Sequence, residues 1–472
     1  MGQNIETLHL TSEAVAEFKA RLRQETELLS HWLAEGAFAS QPKVGGFELE
    51  AWLVGGDLRP LPRAGDLLAS LRNPLVVPEL ATFNLEFNGT PQPLRAEALS
   101  AMAAELMTTW DQADGAASAQ DGRLAMIGIL PTVQPEDLTL DQMTPLNRYR
   151  VLNSQLLALR QNRPLRLDIQ GSDHLELRRE DVMAESATTS FQIHLQAPPA
   201  EADRLFNLSK ILSAPMVAVS ANSPYLFGRD LWRETRIPLF EQTCAMGDPR
   251  LLERVSFGIG YARDSILDCF RTNLERYPII LPVLMDEPVE RLAHLRLHNG
   301  TIWRWNRPLI GFEADGTPHL RIEHRVVPAG PTISDSIANA ALYYGAVQAL
   351  LTASPWPETL IPFPVARANF YAAARLGLEA RIQWLDGPSL PVRDILLGDL
   401  LPRARRGLAQ LGISDEESAI WLGIIEGRLR TGQNGAQWQR AFVQRHGANM
   451  TTLTQAYLEC QHGGRPIHEW SL

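Results

Sequence analysis

Four short stretches of this 472-residue chain share one pattern, and that pattern limits the fold more than any other feature. In a strand, residues i and i+2 lie on the same face. Over 47–54, Phe47, Leu49, Ala51 and Leu53 fall on one face, with Glu48 and Glu50 on the other. Over 82–88, Phe83, Leu85 and Phe87 oppose Asn84, Glu86 and Asn88. Over 190–197, Phe191, Ile193 and Leu195 oppose Gln192, His194 and Gln196. Over 317–327, Leu320, Ile322 and Val326 oppose Arg321, Glu323 and Arg325, with His324 out of pattern. Turn formers close the first three: Gly55-Gly56-Asp57, Gly89-Thr90-Pro91 and Pro198-Pro199. Any half-exposed strand alternates, so one such stretch alone says little. Four with the same polar chemistry say more. One sheet built from all four would gather four carboxylates, two guanidiniums, an imidazole and several amides on one face. Like charges collected in this way need a cation or a proton between them. Oxygen ligands on several strands suit Mg2+ bound together with phosphate. Neighbouring arginines suit phosphate or a carboxylate.

The remaining chain frames these strands. Helices are expected over 10–38, 96–112, 148–161, 201–219 and 335–351, and a strand over 123–130. A Pro/Gly break runs from Pro42 to Gly46. The segment between 225 and 316 reads as mostly irregular. After about 365 the chain reads as mostly helix, interrupted near Gly387-Pro388 and Gly432–Gly435. Strands that alternate, interleaved with helices without βαβ regularity, point to an antiparallel sheet in an α+β fold. There is no G-x-G-x-x-G and no G-x-x-x-x-G-K-[ST], so neither a dinucleotide fold nor a P-loop is indicated. The expected layout is a helical lead-in over 1–43, a catalytic domain over 44–365 and a mostly helical region over 366–472 packed on it.

Charge and cysteine content narrow the function classes. A formal net charge of -10 argues against a general nucleic-acid binder and leaves room for a local basic pocket. Three scattered cysteines without a C-x-x-C pair fit a reducing compartment and inert buried thiols. The N-terminal stretch lacks the pattern of a secretory signal. Apolar runs such as Leu212–Ala221 and Ile279–Met285 are too short for a membrane span and contain Pro215 and Pro282. The expected location is the cytoplasm, with no membrane partner.

Two more clusters carry arginine. Ser220 to Pro224, followed by Arg229, Arg233 and Arg236, could form an anion pocket or an exposed loop. Trp303-Arg304-Trp305-Asn306-Arg307-Pro308 could bind a base or a carboxylate, or could pack with extended arginines.

At these same positions the chain resembles the glutamate–cysteine ligase family, in particular its bacterial second type and the carboxylate–amine ligase relatives. Gly46-Phe47-Glu48-Leu49-Glu50 resembles the family's G-x-E-x-E opening, and Asn84-Leu85-Glu86-Phe87-Asn88 its E-L-N element. Phe191 to Gln196 stands where the family has H-V-H-V-G or V-Q-V-N. Ala221-Asn222-Ser223-Pro224 with Arg236 resembles S-A-S-S-P and a downstream arginine. Ile302 to Pro308 resembles I-W-W-D-x-R-P. Ile322-Glu323-His324-Arg325, followed by Pro331-Thr332, resembles the E-x-R strand. The motifs keep the family's order and cover about 44–350. Gln192 replaces the first histidine, Gln196 replaces the glycine, and Trp305-Asn306 stands where the acidic residue is missing.

The resemblance implies a glutamine-synthetase-like fold, a curved antiparallel funnel surrounded by helices with a helical C-terminal addition. It implies that ATP phosphorylates a carboxylate, often the γ-carboxylate of glutamate, and that an amine such as cysteine then attacks the acyl phosphate. By motif position, Glu48, Glu50, Glu86 and Glu323 would hold Mg2+, with Glu323 and Arg325 catalytic. Gln192, His194 and Gln196 would line the nucleotide region. Arg236, Arg307, Asn88 and Ser223 would hold substrate. ATP and Mg2+ are the implied cofactors, small molecules the partners, and assembly into a homo-oligomer is common in such ligases. Competing classes are an ATP:guanidine-type phosphotransferase, a metal-dependent amidohydrolase and a ligase relative that only binds its ligand.

Overall fold

The computed structural model describes residues 11–39 and 43–472. The start of the expected first helix at residue 10 and Pro42 of the expected break lie outside them. That helix runs Ser12–Glu35, and the Thr11 side chain caps it by accepting from the Ala14 amide.

The longest strand, β1 (Val44–Gly55), is the spine of the sheet. Along one edge it pairs with β3 (Asn84–Asn88) and β4 (Gln92–Pro93); β2 (Val76–Pro78) then extends β3. Along the other it pairs with β5 (Gly122–Ala125) and β8 (Phe191–Ala197). β11 (Asn306–Phe312) and β12 (Pro318–His324) continue past β8. Among the described residues these eight strands form one sheet in the order β11-β12-β8-β1-β3-β2, and every pairing is antiparallel. Small hairpins stand apart: β6 (Leu165–Gln170) with β7 (His174–Arg179), β9 (Tyr225–Leu226) with β10 (Arg229–Asp230), and β13 (Arg381–Gln383) with β14 (Ser389–Pro391). The four stretches read from the sequence are therefore consecutive neighbours, β12, β8, β1 and β3.

The apolar faces of these strands share one core with helices Ala98–Ser118, Ala202–Ser220 and Ile333–Leu351. The last two helices are buried nearly all round, as their apolar sequences require. His324 does follow the alternation. It points into this core, stacks on Tyr343 at 4.5 Å and bonds Asn306 through Nδ1 at 2.7 Å. Burial pushes its imidazole down to about 3, so it stays neutral.

Other readings are corrected by the packing. Phe83 does not share a face with Leu85 and Phe87. β3 begins at Asn84, and Phe83 turns into a second core, stacked on Trp52 with centroids 5.5 Å apart. The strand read over 123–130 pairs only through Ala125. Beyond it, side chains of helix Met450–His462 replace the ladder. Gln461 accepts from the Met126 amide at 2.7 Å and donates to the Leu124 carbonyl at 3.0 Å; Tyr457 donates to the Met126 carbonyl at 2.7 Å. The middle segment is not irregular throughout: it holds helices Arg236–Thr243, Leu267–Arg276 and Ala293–Gly300. The hairpin of β6 and β7 was not read from the sequence, although Leu165, Leu167 and Ile169 alternate into the interior.

Gly45 is needed where it stands. A Cβ there would sit 2.8 Å from the Tyr344 ring, and the Tyr344 hydroxyl lies 2.9 Å from the Gly46 carbonyl oxygen and 3.1 Å from that of His194. Helix Ile333–Leu351 thus presses directly on β1 and β8.

That helix is also tied to the C-terminal region. Arg428 donates to Asp335 through Nε at 3.1 Å and a terminal nitrogen at 2.8 Å, and to Asn339 at 2.7 Å. The Asp335 carboxylate also accepts from the Ile467 amide at 3.1 Å. Both side chains are at most 1% exposed. Removing one partner leaves the other charge buried and alone, which costs about 3–5 kcal/mol. Arg428→Ala is therefore expected to lower the free energy of unfolding in urea by an amount of that order, seen as a lower midpoint at unchanged m; an unchanged midpoint would show that the pair holds nothing together.

Candidate active site

The ladder registers bring the polar residues into one row. Glu50 faces Glu86 across β1 and β3, and Glu48 lies between Asn88 on β3 and Gln192 on β8. Glu323 on β12 lies between His194 on β8 and Arg307 on β11. This face closes one side of a cavity of about 460 Å3.

The row is acidic at one end. Carboxylate oxygens of Glu50, Glu79 and Glu86 all lie within 4.8 Å of one another. Glu50 accepts from the Ser190 amide at 2.7 Å and from Gln192 at 3.0 Å, and Glu86 from Asn88 at 3.0 Å. None of these donors is charged. Burial, with Glu86 adding to it, pushes Glu50 up to about 7 against the pull of Arg325. Burial and Glu50 push Glu79 up to about 7, and Glu86 rises well above the carboxylate range from burial, Glu48 and Glu79. Glu185, in the turn Met183–Ala187, lines the same cavity and is raised to about 8 by burial and by Glu50.

The other end is compensated. Arg307 grips Glu323 through two bonds of 2.8 and 3.0 Å, and Arg325 stands 3.3 Å from it. Burial alone would raise the Glu323 carboxyl, but the two guanidiniums outweigh it and hold it well below the usual range. Arg325 also donates to Gln192, whose amide reaches Glu50, so one side chain links the two ends. His194 sits between, 3.7 Å from Glu48 and 3.8 Å from Glu323. Burial, helped by Arg321, pushes its imidazole down to about 4 despite those carboxylates, so it is neutral at pH 7. Its Nε2 is buried without a hydrogen-bond partner. Arg296 and Arg321 line the cavity near each other and make no ion pair among the described residues.

Of the residues picked from the sequence, Glu48, Glu50, Glu86, Gln192, Glu323, Arg325 and Arg307 line the cavity. Asn88 is one bond behind Glu86. Ser223 and Arg236 are buried outside the lining and are neither an anion pocket nor an exposed loop. Ser223 donates to Glu234 at 2.8 Å, Arg236 pairs with the same carboxylate at 3.1 Å, and Arg236 reaches the Arg325 carbonyl at 3.5 Å. They brace the chain just past β12, where Arg325 stands. Gln196 lies at the far end of β8 and donates to Glu313 at 3.2 Å. Glu79, Glu185 and Arg296 were missed. Glu79 follows a three-residue strand, Glu185 sits in a turn and Arg296 lies on a helix in the segment read as irregular. None has the alternation that revealed the others.

The fold is shared with known ligases at low identity. The glutamate–cysteine ligase of Francisella tularensis, solved in complex with AMP, aligns with a TM-score of 0.54 and 11% identity over 92% of this chain and 90% of its own. A bifunctional glutathione synthetase of Pasteurella multocida aligns with a TM-score of 0.51 and 12% identity over 93% of this chain. This chain spans 55% of that larger protein. No curated protein matches the sequence. The sheet, the surrounding helices and these likenesses give the glutamine-synthetase-like fold expected from the motifs. The profile of glutamate–cysteine ligase family 2 matches residues 44–456, well beyond the span of the motifs. The chain belongs to glutamate–cysteine ligase family 2 and is a carboxylate–amine ligase.

Proposed function

We propose that this ligase joins the side-chain carboxylate of an amino acid, glutamate above all, to an amine, with conversion of ATP to ADP and phosphate. The observation that carries the reading is the division of charge along one sheet face. Among the described residues Glu50, Glu79 and Glu86 have no cationic partner in hydrogen-bond contact, while Arg307 and Arg325 pair with Glu323 in the same cavity. The crowded oxygen donors fit Mg2+. Glu50, Glu79 and Glu86 would hold one ion; Glu48, neutral His194 and Glu323 are a second candidate set, also within 4.8 Å of one another. Bound Mg2+ supplies charge neutralisation on phosphate oxygens.

The chain's own groups do the rest. Arg325 meets the charge on the γ-phosphoryl group as it leaves ADP and bonds to a carboxylate oxygen of the donor. Arg307 keeps Glu323 ionised and in place. Arg296 and Arg321, which make no ion pair among the described residues, suit the remaining carboxylate of the donor. The amine nitrogen then bonds to the carbonyl carbon, the carbon–oxygen bond to phosphate breaks, and the nitrogen loses a proton. Positioning and charge dominate such a reaction, in keeping with a site of Glu and Arg. ATP use suits a cytoplasmic setting, and no helix among the described residues is long and apolar enough to cross a membrane.

Two outcomes are expected. ADP release from ATP and Mg2+ should require both glutamate (or another carboxylate donor) and an amine. Arg325→Ala should lower turnover by about 10³-fold, and Glu86→Ala should abolish it, both with unchanged circular dichroism. ADP release without an amine, or a phosphorylated amine product, would discard the ligase mechanism; unfolding of Glu86→Ala would make Glu86 structural.

The second outcome concerns pH. The Glu50 carboxyl rises from 4.5 to about 7 on folding. Over that window the folded state binds more protons than the unfolded one, so this group's contribution to stability falls as pH rises. Glu50→Gln keeps the neutral form at every pH and also relieves Glu79 and Glu185, which Glu50 pushes up, so the comparison reads the crowded set as a whole and with the same sign. The melting temperature of the native chain relative to Glu50→Gln is expected to fall from pH 5 to pH 8, and millimolar Mg2+ is expected to restore it at pH 8. A constant difference would mean that Glu50 is not crowded.

A further inference from the structure

The charged groups occupy only part of the cavity. Past Glu185 its lining turns apolar. Leu156, Val182 and Leu281 belong to one packed cluster, Leu297 and Trp303 lean on it, and Phe240 meets Trp303 at 6.5 Å between ring centroids. None of these six side chains carries a charge. Glu185 stands at the edge of this wall, one turn after Val182. It interacts with Glu50 and Arg325 on one side and with Cys244 on the other. Its side chain makes no hydrogen bond or ion pair among the described residues. A carboxyl group without a partner at the entrance of an apolar wall, ionised when a cation arrives beside it, is complementary to one chemical class: a cationic nitrogen on an apolar body.

We infer that Glu185 and this wall form the subsite for the acceptor, and that the acceptor is a primary alkylamine or arylalkylamine without a carboxylate of its own. The inference rests on the ligase reading and deepens it. An α-amino acid acceptor such as cysteine would bring a second carboxylate beside Glu185 and the apolar wall, where the nearby lining cation Arg148 already donates to Tyr149. Arg307 and Arg325 are already engaged with Glu323. The wall instead rewards each methylene that it removes from water.

The test is steady-state ADP release by the full chain with saturating ATP, Mg2+ and donor. The acceptors are the straight-chain amines from ethylamine to hexylamine, phenethylamine, cysteine and alanine. With the unmodified enzyme, kcat/KM should rise about four-fold per methylene until the wall is covered. Phenethylamine should exceed cysteine by about 100-fold. Glu185→Gln should raise the KM of hexylamine by about ten-fold and leave the KM of ATP unchanged within about two-fold. Preference for cysteine or alanine over every alkylamine would overturn the inference and leave the ligase standing. A flat amine series, with Glu185→Gln raising the KM of ATP instead, would give the wall to the adenine ring and also overturn it. ADP release that needs no amine would remove the ligase reading and this inference with it.

Discussion

Glu50 faces Glu86 directly across the β1–β3 ladder, and among the described residues no cationic side chain bonds to either. Like charges opposite one another weaken a sheet. Here the backbone ladder prevents their separation, because β1 is paired on both edges at Glu48 and Leu49, and the Glu50 amide is tied to the Ser190 carbonyl on the edge away from Glu86. The apolar side of the sheet fixes that register, since a one-residue slip would carry Phe47 and Leu49 to the wrong face. The core therefore imposes the electrostatic stress of the site. Protons relieve it at low pH, and a bound cation can do so at neutral pH.

The stress is local because the same face carries its own counterpoint. Glu323 lies two strands from Glu48, yet Arg307 and Arg325 keep it ionised. Gln192 spans the gap, accepting from Arg325 and donating to Glu50. A neutral amide at this point passes hydrogen-bond order along the row without adding charge to either end. The buried Glu234–Arg236 pair works from behind, holding the chain at Arg325 and Val326. Rigid support of this kind is what phosphoryl chemistry by positioning requires.

Much of this was legible in the sequence, for a physical reason. Period-two alternation is imposed by the backbone itself, so Glu48, Glu50, Glu86, Gln192, His194, Glu323 and Arg325 could be assigned a common face before any contact was known. Their adjacency as β12, β8, β1 and β3 could only be supposed. Glu79, Glu185 and Arg296 reach the cavity from a strand end, a turn and a short helix, where spacing carries no directional information. His324 misled for the opposite reason. A histidine on a core face looks like an exception until Asn306 and Tyr343 are seen to accommodate it. Arg236 misled because its charge, read alone, suggested a ligand, whereas its partner Glu234 is two residues away.

The replacement of the β5 ladder by Tyr457 and Gln461 has a consequence in time. The carbonyl of Met126 and the amide beside it find their partners on a helix more than 330 residues later. Most of the chain lies between them. As the polypeptide leaves the ribosome, the strand that flanks β1 emerges early and stays incomplete until residue 461 has been synthesised. Pairings so distant in sequence close slowly and leave polar backbone open meanwhile. Order beside the acidic row is thus among the last things that synthesis delivers.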